Sequence, residues 1–347
     1  MNHTYKKIPM PIRYLINTAL IALLLYAGNA VISSGITNRA QSSLVLQVGI
    51  YIILAVSLNI VTGYLGQLPL GHAGFMAVGA YTCGIFWKSA AGSALPAPAA
   101  IVIGLVLAGI MAAIFGVIIG VPALRLKGDY LAIITLGFGE IIRILIINLS
   151  GITGGTPGLM NIPKRSSFLV VYLAVAISCI AIHMVMKSRH GRAILSIREN
   201  EIAAESCGIH ITYYKVFAFA LSAFFAGIAG GLYAGYQGLL TPSGFDFMTS
   251  INILVMVVLG GMGSMAGSVI AATVLTSLPL ALQSLNTFRM VIYSVLLVII
   301  MIFKPSGLMG TYDFSLSHLL EKLLNIRQPR ENSPAQTADK KAGKRNG

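Results

Sequence analysis

Charged residues are scarce in this sequence. Of its 347 residues, only 10% are Asp, Glu, Lys or Arg, whereas 56% are hydrophobic. A soluble protein carries about a quarter charged residues. Several apolar runs of 16 to 24 residues are long enough to cross a hydrocarbon core of about 30 Å. The composition excludes an ordinary soluble domain and predicts an all-α polytopic membrane protein.

Carboxylates are especially few inside the apolar runs. Glu140 is the one acid clearly within a run, and Asp129 and Asp246 lie near run ends. An ion-coupled pump or secondary transporter commonly uses several intramembrane carboxylates as a relay. We therefore expect the energy for any transport to enter through another subunit, with an ion-coupled secondary transporter as the alternative from a different class.

Cysteines and nucleotide or metal motifs are also lacking. The three cysteines, Cys83, Cys179 and Cys207, lie far apart and form no CxxC pair, which argues against a disulfide framework or a metal site. The chain contains neither a GxxxxGK[ST] phosphate loop nor an HExxH zinc motif, so it would not itself bind ATP or a catalytic metal. We predict no cofactor, no catalytic residue and no enzymatic activity.

Positive charge, by contrast, is plentiful but localised. The net charge is +14, and Lys and Arg crowd the N-terminus, the turn at Arg125 and Lys127, a polar loop at 187–213 and the C-terminal tail. In a membrane protein, this distribution marks cytoplasmic segments. It argues against nucleic-acid binding.

Ten spans fit the apolar pattern when the N-terminus is placed in the cytoplasm. The organisation is then a cytoplasmic N-terminus at 1–13, a permease domain at 14–304, and a basic tail at 305–347 that is too polar to order itself. A nine-span count would place either the basic loop or the basic tail outside. The predicted spans are 14–32, 44–62, 72–90, 98–121, 130–149, 168–186, 214–236, 248–261, 267–285 and 288–304.

The polar loop contains the pattern of one amphipathic helix, at 193–207. Apolar and acidic residues recur there at three- and four-residue spacing, and Gly208 follows as a stop signal. A helix held out in the cytosol suits docking to a soluble partner, although a simple solvated connection is the alternative.

Two glycine-rich stretches, 63–75 and 260–267, are poorly suited to continuous helix. Broken backbone at membrane depth is tolerated where it is buried or lines a cavity. Because the stretches fall in opposite halves of the chain, they also suggest an internal repeat.

Elsewhere, small residues recur at every fourth position and predict close helix packing. The first set is Gly104, Ala108, Ala112, Gly116 and Gly120, and the second is Ala223, Gly227, Gly231 and Gly235.

Four segments together resemble one family. RENEIAAESCGI in the polar loop resembles the EAA-type coupling segment of ABC importer permeases, with its acid at Glu201, one residue earlier than usual. SLNIVTGYLGQLPLGHAGFMAVGAYT at 57–82 resembles the GQLSLGHA signature of branched-chain amino acid permeases, with Pro69 in place of Ser. The segments at 129–159 and 288–310 are similar to the same family.

The resemblance implies a membrane subunit of a bacterial inner-membrane importer with both termini in the cytoplasm. Its fold would be the ten-helix bundle of vitamin B12-type (type II) permeases. Its partners would be two cytoplasmic ATP-binding subunits, a sister permease and an extracytoplasmic binding protein that delivers leucine, isoleucine or valine. Urea or amide permeases of the same superfamily are the alternative, and Gln67 in the signature favours amino acids.

The resemblance and the pattern also give candidate site residues. For coupling to the ATPase they are Arg198, Glu201, Ala203, Ala204, Glu205 and Gly208. Ala203, Ala204 and Gly208 would form the contact surface, and the charged residues would match the partner's charge. For the translocation path they are Asn59, Gln67, His72, Glu140 and Arg143.

Each path candidate has a structural alternative. Gln67 and His72 could instead satisfy backbone freed by the helix break, and Asn59 could tie helices together. Glu140 and Arg143, three residues apart on one helix face, could form a structural ion pair, which we favour over a direct role in the path. The loop at 151–163 is a candidate contact for the binding protein or an ordinary solvated loop.

Overall fold

The computed structural model describes residues 38–281, except 90, 91, 93 and 127, together with residues 294, 295, 298 and 307. Outside this description lie the N-terminus at 1–13, predicted span 14–32, Lys127, predicted span 288–304 apart from residues 294, 295 and 298, and the tail apart from Gly307. The described residues are helical and form no strand. Their one isolated bridge pairs Leu159 with Leu240.

Helix ends follow local sequence signals. Asn38 caps the first helix in a capping box with Gln41, a proline lies in the first turn of α3, and Asp246 caps α10, as expected for helix starts. The helices are α1 Arg39–Asn59, α2 His72–Lys88, α3 Ala97–Ala123, α4 Asp129–Asn148, α5 Ser150–Thr153, α6 Phe168–Lys187, α7 Arg189–Glu199, α8 Glu201–Ser206, α9 Ile211–Gln237, α10 Phe247–Gly260 and α11 Met265–Ala281. A π-helix, Ile60–Tyr64, continues α1, and a 3₁₀ turn, Pro242–Phe245, precedes α10.

The spans predicted from residue 44 to residue 285 each overlap one of these helices. Among the described residues, five helical segments are long and apolar enough to cross a membrane, as a multi-pass membrane protein requires; α10 and α11 are apolar but shorter. The five are Ala40–Tyr64, Ala97–Ala123, Asp129–Asn148, Phe168–Lys187 and Ile211–Gln237.

Helix α9 packs closely against α2 and α3. A Cβ on Gly79 of α2 would overlap the Gly227 backbone, and a Cβ on Gly227 would overlap the Ala108 carbonyl of α3; Gly116 of α3 likewise lies against Ala223. Every residue of the two predicted small-residue patterns is buried in α3 or α9. The prediction of close helix packing is therefore confirmed.

The two ends of α9 define the two ends of the bundle. Near its start, the ring centroids of Tyr214 and of His190 in α7 are 6.0 Å apart. Near its other end, Tyr236 hydrogen-bonds Ser43, and Ser166 donates to the Leu232 carbonyl at 2.7 Å. The polar segment α7–α8 and the loop at 154–166 consequently lie at opposite ends, as the alternating topology predicts.

Candidate coupling and translocation site

The first glycine-rich stretch interrupts the helix at the α7 end of the bundle. After α1, the chain widens into the π-helix, in which the Leu65 N–H donates to the Ile60 carbonyl. Gly66 then adopts φ +77°, a conformation that favours glycine, and the Gln67 N–H donates back to the Val61 carbonyl at 3.0 Å. The chain runs non-helically to Gly71 before α2 begins. The predicted helix break is confirmed.

The second glycine-rich stretch lies directly against the first. Gly63 is so close to the Gly263 backbone that a Cβ there would overlap it. Asn59 joins the two stretches: its Oδ1 accepts from the Gly263 N–H at 2.9 Å, and its Nδ2 donates to the Ser264 carbonyl at 3.1 Å. Asn59 thus ties helices together, which is the structural role that the sequence suggested.

Arg198 reaches this junction from α7. Its Nη1 donates to the Gly63 carbonyl at 2.6 Å, and its aliphatic stem passes Gly66 closely enough to meet a Cβ there at 3.0 Å. On the far side, a Cβ on Gly263 would lie 3.2 Å from the same Nη1. A residue predicted to face the ATPase therefore also touches both helix breaks.

The remaining candidates in the first break are in polar surroundings. His72, at the start of α2, is buried, and its Nε2 lies 3.0 Å from the Ser57 hydroxyl. The Gln67 amide oxygen is buried and has no hydrogen-bond partner among the described residues. Between these two residues in the chain, the Leu70 N–H donates to the Thr135 hydroxyl of α4 at 2.9 Å. A path-lining role for either residue stays a prediction.

The coupling segment is two helices, so the prediction of one helix at 193–207 is wrong. The chain turns at Asn200, with φ −158° and ψ 109°. The Asn200 Oδ1 accepts from the Ala203 N–H at 3.0 Å. Asn competes with helical hydrogen bonding and favours N-cap positions. It therefore ends α7 and starts α8.

The structure also changes the expected docking surface. Ala204 is only 4% exposed and joins Ile194 and Ile197 in the apolar core, so it does not stand on an outer face. Ala203, Glu205 and Gly208 are exposed, as predicted for contacts, and Ile202 is 77% exposed. We define the α8 tip as the exposed residues Ile202, Ala203, Glu205, Cys207 and Gly208.

Glu201 is paired within the chain. Lys215 Nζ lies 2.8 Å from Glu201 Oε1, and the lysine side chain is 5% exposed. The carboxylate expected to complement a partner's charge thus neutralises a buried lysine on α9. Sequence reasoning missed Lys215, although a lysine one turn into an apolar helix was a signal that a partner was needed.

Glu140 and Arg143 form the ion pair predicted from their spacing. Arg143 Nε lies 2.7 Å from Glu140 Oε2, and both side chains are about a third exposed. The bond stays within α4, so it does not lock this helix to a neighbour. The buried residues of α4 are Leu131, Thr135, Ile142 and Ile146, a different side of the helix from Glu140.

At the other end of the bundle, the loop at 154–166 is held by backbone and side-chain contacts, and the role predicted for 151–163 in binding-protein contact stays a prediction. Leu159 and Leu240 exchange backbone hydrogen bonds at 2.9 and 3.0 Å. Lys88 Nζ donates to the Met160 carbonyl at 2.8 Å, and the Arg165 guanidinium lies 5.9 Å from the centre of the Trp87 ring. This loop therefore caps the ends of α2 and α9.

The chain is similar in sequence to known permease proteins. The family model described as the permease component of branched-chain amino acid transport systems matches residues 41–303. The LivM permease protein of a high-affinity branched-chain amino acid transport system in Salmonella typhimurium is 37% identical over 314 residues, 78% of this chain and 70% of LivM. LivM of Escherichia coli K12 is 38% identical over 302 residues, 75% of this chain and 68% of LivM.

A second permease protein of the same kind of system, LivH of Escherichia coli K12, is 28% identical over 145 residues, 41% of this chain and 46% of LivH. No solved structure matches the chain. The family match covers both glycine-rich stretches, Arg198 and the α8 tip. The chain belongs to the family of permease components of branched-chain amino acid transport systems.

Proposed function

We propose that this chain is the membrane subunit of an ATP-driven importer that carries leucine, isoleucine and valine into a bacterial cell through the inner membrane. Both LivM relatives are named as permeases of branched-chain amino acid transport systems, which favours these substrates over urea or amides. ATP hydrolysis takes place in two separate cytoplasmic subunits. The proposed fold is a ten-span bundle of the vitamin B12-importer type, with both termini in the cytoplasm.

The observation that carries the proposal is the polar segment at the end of the bundle. Helices α7 and α8 pack on the bundle through Ile194, Ile197 and Ala204, yet they leave Ile202 almost fully exposed. An exposed apolar side chain beside small residues suits insertion into a cleft on another protein. The ATP-binding subunit is the partner that this family requires at that end.

A sister permease and a binding protein complete the proposed assembly. Escherichia coli K12 has two relatives of this chain that are named as permease proteins of such a system, LivM and LivH. This supports pairing with a second permease of different sequence. The ordered loop at 154–166, at the end opposite α8, is the proposed contact for the extracytoplasmic binding protein.

Reconstitution tests the function directly. The chain, purified with its ATP-binding and sister subunits, is placed in liposomes with ATP on the cytoplasmic face and binding protein on the other. We expect uptake of radiolabelled leucine, isoleucine and valine that needs ATP and the binding protein. Uptake by the chain alone, driven by an ion gradient, would identify a secondary transporter, and uptake of urea in place of the amino acids would reassign the substrate.

A further inference from the structure

We propose that Arg198 is a positioning residue that transmits movement of the docked ATP-binding subunit to the two helix breaks. The inference rests on the proposed function and deepens it, because it names the contact through which ATP hydrolysis reaches the membrane-embedded part. The junction consists of Gly63, Gly66, Gly263, Asn59 and Arg198.

The first argument is the position of the guanidinium. Its Nη1 binds the Gly63 carbonyl at 2.6 Å and lies next to Gly263 of the other break. The residue as a whole nevertheless remains exposed, so it lies within reach of a docked protein. Arginine presents several donors in a rigid fork and can therefore hold two partners at once.

The second argument is that the two breaks are joined by direct contacts. Asn59 binds both the Gly263 N–H and the Ser264 carbonyl, and Gly63 packs on the Gly263 backbone. A displacement at Gly63 is therefore passed on to Gly263. Close backbone packing of this kind transmits strain because it leaves no room for side-chain adjustment.

The third argument is that the break is able to change. The π-helix ends with carbonyls that lack the regular helical partner, and Arg198 fills that role at Gly63. Gly66 and Gly263 have φ +77° and +91°, so glycine allows both segments to adopt other conformations. Only three residues separate Arg198 from the exposed Ile202, which places the junction directly behind the α8 tip.

The experiment uses the whole importer in liposomes and compares Arg198→Ala, Arg198→Lys and the control Arg192→Ala. Arg192 is an exposed arginine on the same helix, and it donates to the Lys187 carbonyl. Two quantities are measured: substrate imported per ATP hydrolysed, and hydrogen exchange of the Leu65 and Gln67 amides with and without vanadate-trapped nucleotide.

We expect Arg198→Ala to lower the import per ATP roughly tenfold, as loss of one charge-assisted hydrogen bond allows, while ATP hydrolysis continues. Lysine, which offers a single point donor, should restore part of this ratio, and Arg192→Ala should leave it unchanged. Trapped nucleotide should change exchange at Leu65 and Gln67 in the wild type and in Arg192→Ala, but not in Arg198→Ala.

Import and hydrolysis that fall together in Arg198→Ala, with an unchanged ratio, would show a merely structural contact and overturn the proposal. The proposal would also be overturned if trapped nucleotide did not change hydrogen exchange at Leu65 and Gln67 in the wild type. That result does not depend on whether any variant folds. The exchange measurement needs no substrate. If the wild-type complex imports none of the three amino acids, the proposed function fails while the role of Arg198 is still decided.

Discussion

Lys215 of α9 and Glu201, the first residue of α8, form an ion pair of 2.8 Å, and the lysine side chain is 5% exposed. The pair holds α8 against the bundle on one side, while Ala204 packs into the core on the same helix. Because lysine is rarely buried without a partner, the acid has a structural task here. The α8 tip is thus attached to the bundle at a fixed place.

Glu201→Ala should therefore destabilise the protein. It leaves the Lys215 charge buried, and because the Glu201 side chain is a third exposed we expect a loss of about 1 to 3 kcal/mol. Thermal unfolding in mild detergent measures the effect. Glu205→Ala, on the exposed side of the same helix, should change the midpoint little, and adding Lys215→Met to Glu201→Ala should recover most of the loss. Equal midpoints for the Glu201 and Glu205 variants would contradict this role.

Ile202→Asp should prevent docking without disturbing the fold. The side chain is 77% exposed, so the substitution affects the outer surface and leaves the core intact. Cys207, on the same α8 tip, is an exposed free thiol, whereas Cys83 is buried. Alkylation of Cys207 should therefore slow when the ATP-binding subunit is added to the wild type.

In Ile202→Asp, the ATP-binding subunit should no longer slow the alkylation of Cys207, and transport should be lost. The midpoint of thermal unfolding should stay within error of the wild type. Ala204→Arg is a poorer test, since Ala204 is buried and the change would disturb the chain's own packing. Full protection of Cys207 from alkylation in Ile202→Asp would show that the α8 tip is not part of the docking surface.

The sequence predicted the helices well because long apolar runs are a strong local signal. Glycine clusters likewise located both helix breaks. The orientation of the polar segment was not predictable in the same way. Ala204 faces inward because Asn200 starts a new helix and changes the rotation of α8, and the contacts of Glu201 and Arg198 are made with residues distant in sequence. Such contacts depend on tertiary packing, which a local pattern does not contain.

Gly63→Ala should disrupt the junction of the two helix breaks. A methyl group there would overlap Asn59 Oδ1 and the Gly263 backbone, and backbone cannot rotate away. Forced overpacking of this kind costs about 1 to 3 kcal/mol. Gly137→Ala on α4 is the matched control, since no atom of the described residues lies within 4 Å of a Cβ placed there.

Thermal unfolding and the yield of folded protein compare the two variants. The control should be neutral or slightly more stable, because alanine favours helix over glycine. If Gly63→Ala were as stable as Gly137→Ala, the two breaks would be looser than the Asn59 hydrogen bonds indicate.

Glu140 and Arg143 present charge at membrane depth on a face of α4 away from its buried residues. The pair is local, with a 2.7 Å bond and both side chains about a third exposed. A charged residue at the centre of a membrane helix costs about 2.5 to 3.5 kcal/mol on insertion scales, so such residues usually face water or protein rather than lipid. The pair does not join α4 to another helix of this chain, and our hypothesis is that it lies on the translocation path or against the proposed sister permease.

Glu140→Gln alone should lower thermal stability, because Arg143 loses its counter-charge. The double variant Glu140→Gln with Arg143→Met should recover stability, and we expect its transport to remain several-fold below the wild type, since the polar surface is lost. Uptake in liposomes, normalised to assembled complex, gives the measurement. Ile144→Met, an apolar exchange at a half-exposed position of the same helix, should transport normally. A double variant that regains both stability and full transport would instead assign the ion pair a purely structural role.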